Sequence, residues 1–315
     1  MIAYGSIWGI LFPVFLLIGL GFVLRQTRVI APEADRSLVR SVLYVFYPCL
    51  IFQNILGNEA LRSGETFFLA PLLGFVAVGL GFLVAWPIAR ILFPGEKVRQ
   101  RTFIFCLGIF NYGYLPIPLM QALFPPDAVG VLLVFNVGVE MALWTVGIFI
   151  LSGTGLREGW RKILNPPLLA MIAAMTLNVT AGPAVVPEFL RQLISWLAAC
   201  SIPLGLLVSG CLLADFYPEI RLREGVRTLA GACLGRLCLI PMLFLGMVWL
   251  LPLNADLSAV LVVQAAMPAG VFPMVITRMY QGDTKTALLI VVGTTVASLF
   301  LIPLWLGWGM LLLGG

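Results

Sequence analysis

Two apolar stretches hold the side chains best suited to binding chemistry. The first reads Phe110-Asn111-Tyr112-Gly113-Tyr114-Leu115-Pro116-Ile117-Pro118, and the second Gln264-Ala265-Ala266-Met267-Pro268-Ala269-Gly270-Val271-Phe272-Pro273. Each combines a side-chain amide with glycine, which allows close backbone approach, and proline, which lacks the N–H a helix needs. Inside a bilayer, backbone that leaves the helical path survives only where protein or a water-filled cavity supplies partners for its freed groups. Interruptions at matching places in two halves of a membrane chain point to the binding site of a secondary transporter.

Asn111 is the leading candidate ligand, since its amide can cap the interrupted backbone or donate to a solute, and both roles stay open. Gln264, offset from it by 153 residues, holds the equivalent place in the second half. Gly113 and Gly270 give room at the breaks, and Pro116 and Pro268 keep the helix from re-forming. Tyr112, Tyr114 and Phe272 are candidate cavity walls or ordinary aromatic packing. Two ionisable residues, Glu140 and Arg236, fall deep in apolar segments. A charge there marks function by default; a structural ion pair or a snorkelling arginine is the alternative. Arg236 is thus a candidate attractor for an anion, and Glu140 for a coupling proton or cation. Asn136, one turn from Glu140, and Thr294, Thr295 and Ser298 could add oxygen ligands, although isolated hydroxyls mostly bond their own backbone.

These residues need a scaffold, and composition says which kind. The chain is 61% hydrophobic and 10% charged, with mean hydropathy +1.06, too little polar surface to cover a soluble domain. Its apolar runs are continuous rather than alternating, which excludes an outer-membrane barrel and predicts an all-α integral membrane protein. Ten spans are expected, near 7–25, 37–56, 67–90, 101–124, 127–151, 166–182, 189–213, 226–251, 256–279 and 285–313. Sixteen of the nineteen Lys and Arg fall in the loops after the odd-numbered spans, among them Arg25, Arg40, Arg99, Arg161, Arg223 and Lys285. The positive-inside rule then makes those loops cytoplasmic and puts both termini outside the cell membrane.

Orientation also accounts for the net charge of +5, so no nucleic-acid partner is implied. No cleavable signal peptide is apparent, because Arg25 and Arg28 follow the first span rather than precede it. The chain has no histidine, and its six cysteines lack zinc-type spacing, which reads as structural burial with no metal and no cofactor. No nucleotide-binding loop is present; Gly5-x-x-x-Gly9 and Gly19-x-Gly21 read as close helix packing. An enzyme is not expected.

The short segment Ser152–Asn165 separates two sets of five spans, repeat 1 over 1–155 and repeat 2 over 156–315. Five being odd, the second set threads the membrane in the opposite sense, as an inverted repeat does. Pro48 and Pro203, and Pro116 and Pro268, are landmarks of the shared register. Asn111 follows Arg101 by ten residues and Pro268 follows Asp256 by twelve, about 15 and 18 Å of helix, which sets both breaks near the bilayer centre. The half-helices beyond them aim their N-termini inward, where partial positive charge favours an organic carboxylate.

At these residues the chain resembles the auxin efflux carrier family, which includes plant auxin exporters and bacterial permeases for malate- and malonate-like acids. Gln264 to Pro273 is similar to that family's Q-A-A-x-P-x-G-[IV]-x-P stretch in helix nine. Asn111-x-Gly113 with Pro116 and Pro118 resembles the fourth-helix crossover, and Asn165-Pro166-Pro167 the start of helix six. The resemblance implies crossed, broken helices 4 and 9, a scaffold of helices 1, 2, 6 and 7 forming a homodimer, and an elevator-like transport domain of helices 3–5 and 8–10. It carries a binding role over to Asn111, Pro116 and Pro268. Plant carriers have a long cytosolic loop where this chain has only Ser152–Asn165, so a bacterial-type permease for a small mono- or dicarboxylate is implied. The alternative is a sodium- or proton-coupled carrier of the bile-acid symporter type.

Overall fold

The computed structural model describes residues 4–62, 64–153, 165–216 and 222–314. Most of the segment between the halves, with Arg157, Arg161 and Lys162, lies outside the described residues, as do Arg221, the surroundings of Gly5 and the side chain of Arg223. What is described is helical, and its only extended pairing is one isolated bridge between Phe110 and Ala269.

In chain order the α-helices are α1 (Tyr4–Gln26), α2 (Asp35–Ser41), α3 (Tyr47–Ile55), α4 (Gly64–Leu92), α5 (Lys97–Gly108), α6 (Pro116–Leu123), α7 (Pro126–Ala142) and α8 (Ile148–Ser152). The second half holds α9 (Pro166–Thr180), α10 (Glu188–Phe216), α11 (Leu222–Leu234), α12 (Ile240–Leu250), α13 (Ala255–Ala265), α14 (Phe272–Met279) and α15 (Thr284–Leu312). Among the described residues, seven helical segments have the length and apolarity to cross a membrane: Ile7–Gln26, Pro32–Ile55, Gly64–Leu92, Pro126–Ser152, Glu188–Asp215, Gly225–Leu250 and Thr284–Leu312. The other three expected spans take different forms. Spans four and nine are each divided, α5 from α6 and α13 from α14, and span six is the shorter apolar helix α9. Large apolar side chains such as Phe12, Phe68, Leu83 and Phe300 stand exposed, as lipid-facing residues of a multi-pass membrane protein do.

Among the described residues, five-residue π turns interrupt the helical path at Val42–Phe46, Leu143–Gly147 and Gly235–Leu239. Proline explains two of them. Pro48 and Pro241 have no N–H for the carbonyl four residues earlier, so the ladder widens just upstream. The carbonyl of Leu237, orphaned by Pro241, accepts instead from the Trp305 indole N–H at 2.8 Å.

Glycine lets helix pairs meet backbone to backbone. A Cβ on Gly138 of α7 would lie 1.7 Å from the Pro71 carbonyl oxygen of α4, and one on Gly210 of α10 2.0 Å from the Ile18 oxygen of α1. In the glycine pattern of the first helix only Gly21 makes such an approach; Gly9 and Gly19 have open space beside them. Among the cysteines, Cys106 and Cys211 are buried, Cys49, Cys233 and Cys238 are half-buried, and Cys200 is exposed, a departure from uniform burial. Thiols are apolar enough to face lipid as well as protein.

Candidate substrate site

The two breaks are joined to each other. Helix α5 stops at Gly108 and α6 starts at Pro116, while α13 stops at Ala265 and α14 starts at Phe272. Between them the Asn111 N–H donates to the Pro268 carbonyl at 2.8 Å, and the Gly270 N–H donates to the Ile109 carbonyl at 3.0 Å. Both resumed helices carry proline in their first turn, where a missing N–H costs nothing.

Side chains satisfy the remaining groups that the breaks set free. Thr294 Oγ1 accepts from the Ala269 N–H at 3.1 Å and donates to the Ile290 carbonyl at 2.7 Å. Asn136 Nδ2 donates to the Tyr112 carbonyl at 2.8 Å, and Gln264 Nε2 donates to Asn136 Oδ1 at 3.2 Å. Arg236 serves the end of α13, its Nε donating to the Met267 carbonyl at 2.8 Å and Nη2 to the Gln264 carbonyl at 3.0 Å. Non-helical backbone buried at this depth is thus paired almost group by group, as a low-dielectric setting demands.

In front of the joined breaks lies a cavity of about 300 Å³. Asn111, Tyr112, Gly113 and Tyr114 line it from the first break, and Gly270 and Phe272 from the second. The Asn111 side chain is half-buried and has no protein hydrogen-bond partner among the described residues, so its amide is free for a solute. Tyr114 stacks edge-on with Tyr47 at 5.5 Å, and Phe272 with Trp144 at 6.3 Å, which fixes two aromatic walls. The Tyr114 ring also leans on Gly205 of α10, where a Cβ would come within 2.6 Å of the ring.

Among the described residues lining the cavity, Glu140 is the one acidic or basic side chain. Its Oε2 accepts from Asn165 Nδ2 at 2.8 Å, while Asn165 Oδ1 caps the start of α9 by accepting from the Leu168 N–H at 3.0 Å. Glu140 and Arg236 do not pair with each other. Arg236 is 0% exposed and directs Nε and Nη2 to carbonyls, with its guanidinium over the rings of Phe110 at 4.9 Å and Phe244 at 5.7 Å.

Other expected site residues stand behind the cavity rather than in it. Gln264 is 0% exposed, Pro116 and Pro268 are buried at the breaks, and Asn136 faces a small void beside Glu140. Thr294 and Ser298 bond backbone carbonyls and do not gather around Glu140. Sequence reasoning passed over Tyr47, Trp144 and Ser209, which line the cavity. Tyr44 and Trp144 lie within π turns, whose wider register no 3.6-residue pattern reveals.

A family model described as membrane transport protein matches residues 6–159 and 155–306. The chain is 24% identical over 310 residues to an uncharacterized transporter of Methanothermobacter thermautotrophicus, covering 97% of this chain and 99% of that protein. It is also 24% identical over 310 residues to an uncharacterized transporter of Methanocaldococcus jannaschii, covering 95% and 97%. Protein ECM3 of Saccharomyces cerevisiae is 32% identical over 164 residues, 49% of this chain and 26% of that one.

Proposed function

The chain belongs to the membrane transport protein family, the auxin efflux carriers whose motifs its sequence resembles, and from that premise we propose that it carries a small organic anion across the cell membrane. It is a transporter and not an enzyme. The substrate is a mono- or dicarboxylate, auxin- or malonate-like, bound where the two breaks meet. One observation carries this reading: the bonds from Asn111 to Pro268 and from Gly270 to Ile109 hold two resumed helices, α6 and α14, beside a cavity into which the free Asn111 amide reaches. Backbone N–H groups and helix starts bind anions without a formal cation, which suits a cavity that no lysine or arginine among the described residues lines.

In this proposal all ten segments cross the membrane as two inverted five-span repeats, with the fourth and ninth crossing as broken pairs. Spans 1, 2, 6 and 7 form the scaffold of a homodimer, and spans 3–5 and 8–10 move as an elevator. Both termini lie outside, so the cavity, whose lining includes Val39 next to Arg40 and Asn165 at the start of α9, faces the cytoplasm. Glu140 in the cavity favours a second reading of the energetics, in which a proton or cation is coupled to the anion, as in carriers of the bile-acid symporter type. The decisive experiment is uptake of labelled malonate and of indole-3-acetate into proteoliposomes. Saturable flux supports the carrier, and a sodium or pH gradient that changes its extent supports coupling. Absence of flux for every mono- and dicarboxylate tried refutes the substrate class.

A further inference from the structure

Arg236 is the largest fully buried side chain among the described residues, and no carboxylate pairs with it there. Its Nη1 has no hydrogen-bond partner. A guanidinium in the interior of a membrane protein is costly, and here only two carbonyl dipoles and two aromatic faces offset it. Those groups are dipoles and quadrupoles, so they leave a net positive field. The π turn at Gly235–Leu239 holds Arg236 beneath the second break, and the ring of Phe110, a cavity-lining residue, lies against its guanidinium. One aromatic side chain therefore intervenes between the charge and the cavity.

The position of the charge matters as much as its sign. The carbonyl of Gln264 belongs to the negative end of α13 and that of Met267 lies just past it, both adjoining the break from which α14 starts. Left bare, that end would cancel the positive start of α14. Arg236 covers it. The same residue thus removes an opposing dipole and adds a full charge of the sign that draws anions, and in a poorly screened interior both effects reach the cavity.

We propose that Arg236 determines charge specificity: without touching the substrate, it makes the cavity prefer a doubly charged carboxylate to a singly charged one. This rests on the organic-anion reading above. Its signature is a ratio, because losing a field weakens a dianion more than a monoanion of the same shape, whereas a looser fold weakens both alike. Malonate and monomethyl malonate form such a pair above neutral pH.

The test is calorimetric titration of both ligands into purified wild-type protein and into Arg236→Gln, Arg236→Met and Arg236→Lys. The wild type is expected to bind malonate more tightly. Both neutral variants should lose that preference by roughly ten-fold, the scale of one charge acting over a partly screened distance of several ångströms. Arg236→Lys should keep it. An unchanged ratio in a folded neutral variant overturns the proposal, and so does a wild type that prefers the monoester, which decides the matter even if neither neutral variant folds. Wild-type protein that binds no carboxylate at all refutes the organic-anion reading instead, a result visible before any variant is made.

Discussion

Asn165 holds Glu140 with one end of its amide and the first turn of α9 with the other, at 2.8 and 3.0 Å. A side chain at a helix start thereby fixes a carboxyl group on the cavity wall. The link spans elements that the proposed mechanism assigns to different moving parts, α7 to the transport domain and α9 to the scaffold, so the state of Glu140 bears on movement as well as on binding.

Glu140→Gln tests the charge. An ionised Glu140 repels a carboxylate in the same cavity, so wild-type flux should fall as pH rises through the range where this carboxyl loses its proton. The Gln variant should show a flatter profile while still accepting the bond from Asn165. Flux across a pH series in proteoliposomes checks this, and identical profiles would leave Glu140 a structural residue.

Asn111→Ala should lower flux by at least ten-fold, the cost of one hydrogen bond to a charged ligand, with little change in thermal stability. The side chain has no hydrogen-bond partner to lose among the described residues, and the bond to Pro268 comes from the backbone, which alanine keeps. Flux and melting temperature measured on the same preparation separate the two effects.

Thr294→Val should do the reverse. It removes the acceptor of the buried Ala269 N–H and destabilises the protein by about 1 kcal/mol, near the middle of what buried hydrogen bonds contribute in membrane proteins. Unfolding in detergent should register the loss, and substrate affinity in the fraction that stays folded should change little.

Gly138→Ala should be far more damaging than Gly19→Ala. The first forces a Cβ to within 1.7 Å of the Pro71 carbonyl oxygen and must part α4 from α7, whereas the second meets nothing. Comparing the yield of monodisperse protein for the two variants checks this, since both swap glycine for a better helix former.

The breaks were legible because proline and glycine act on their own backbone and advertise the fact locally. Their mutual pairing was not, since bonds between backbone groups leave no residue signature. Glu140 and Arg236 stood out as charges in apolar runs, but their partners did not. Arg236 serves carbonyls, which every residue has, and Glu140 meets an asparagine noticed only as part of a proline motif. Gln264 matched Asn111 by offset yet points into protein rather than the cavity, because α13 ends before the break and turns its last side chains toward Asn136. The apolar runs of spans four and nine pass straight through the breaks, so hydropathy marks each as one segment where the structure has two short helices.

The union of the two breaks by main-chain atoms has a corollary for substitution. Position 111 contributes an N–H and position 109 a carbonyl, so residue 111 can become anything but proline without loosening the join. Position 270 is narrower, with the Phe110 oxygen 3.0 Å from where a Cβ would sit. The join itself therefore places no demand on the side chain at 111, whatever the cavity in front of it comes to hold.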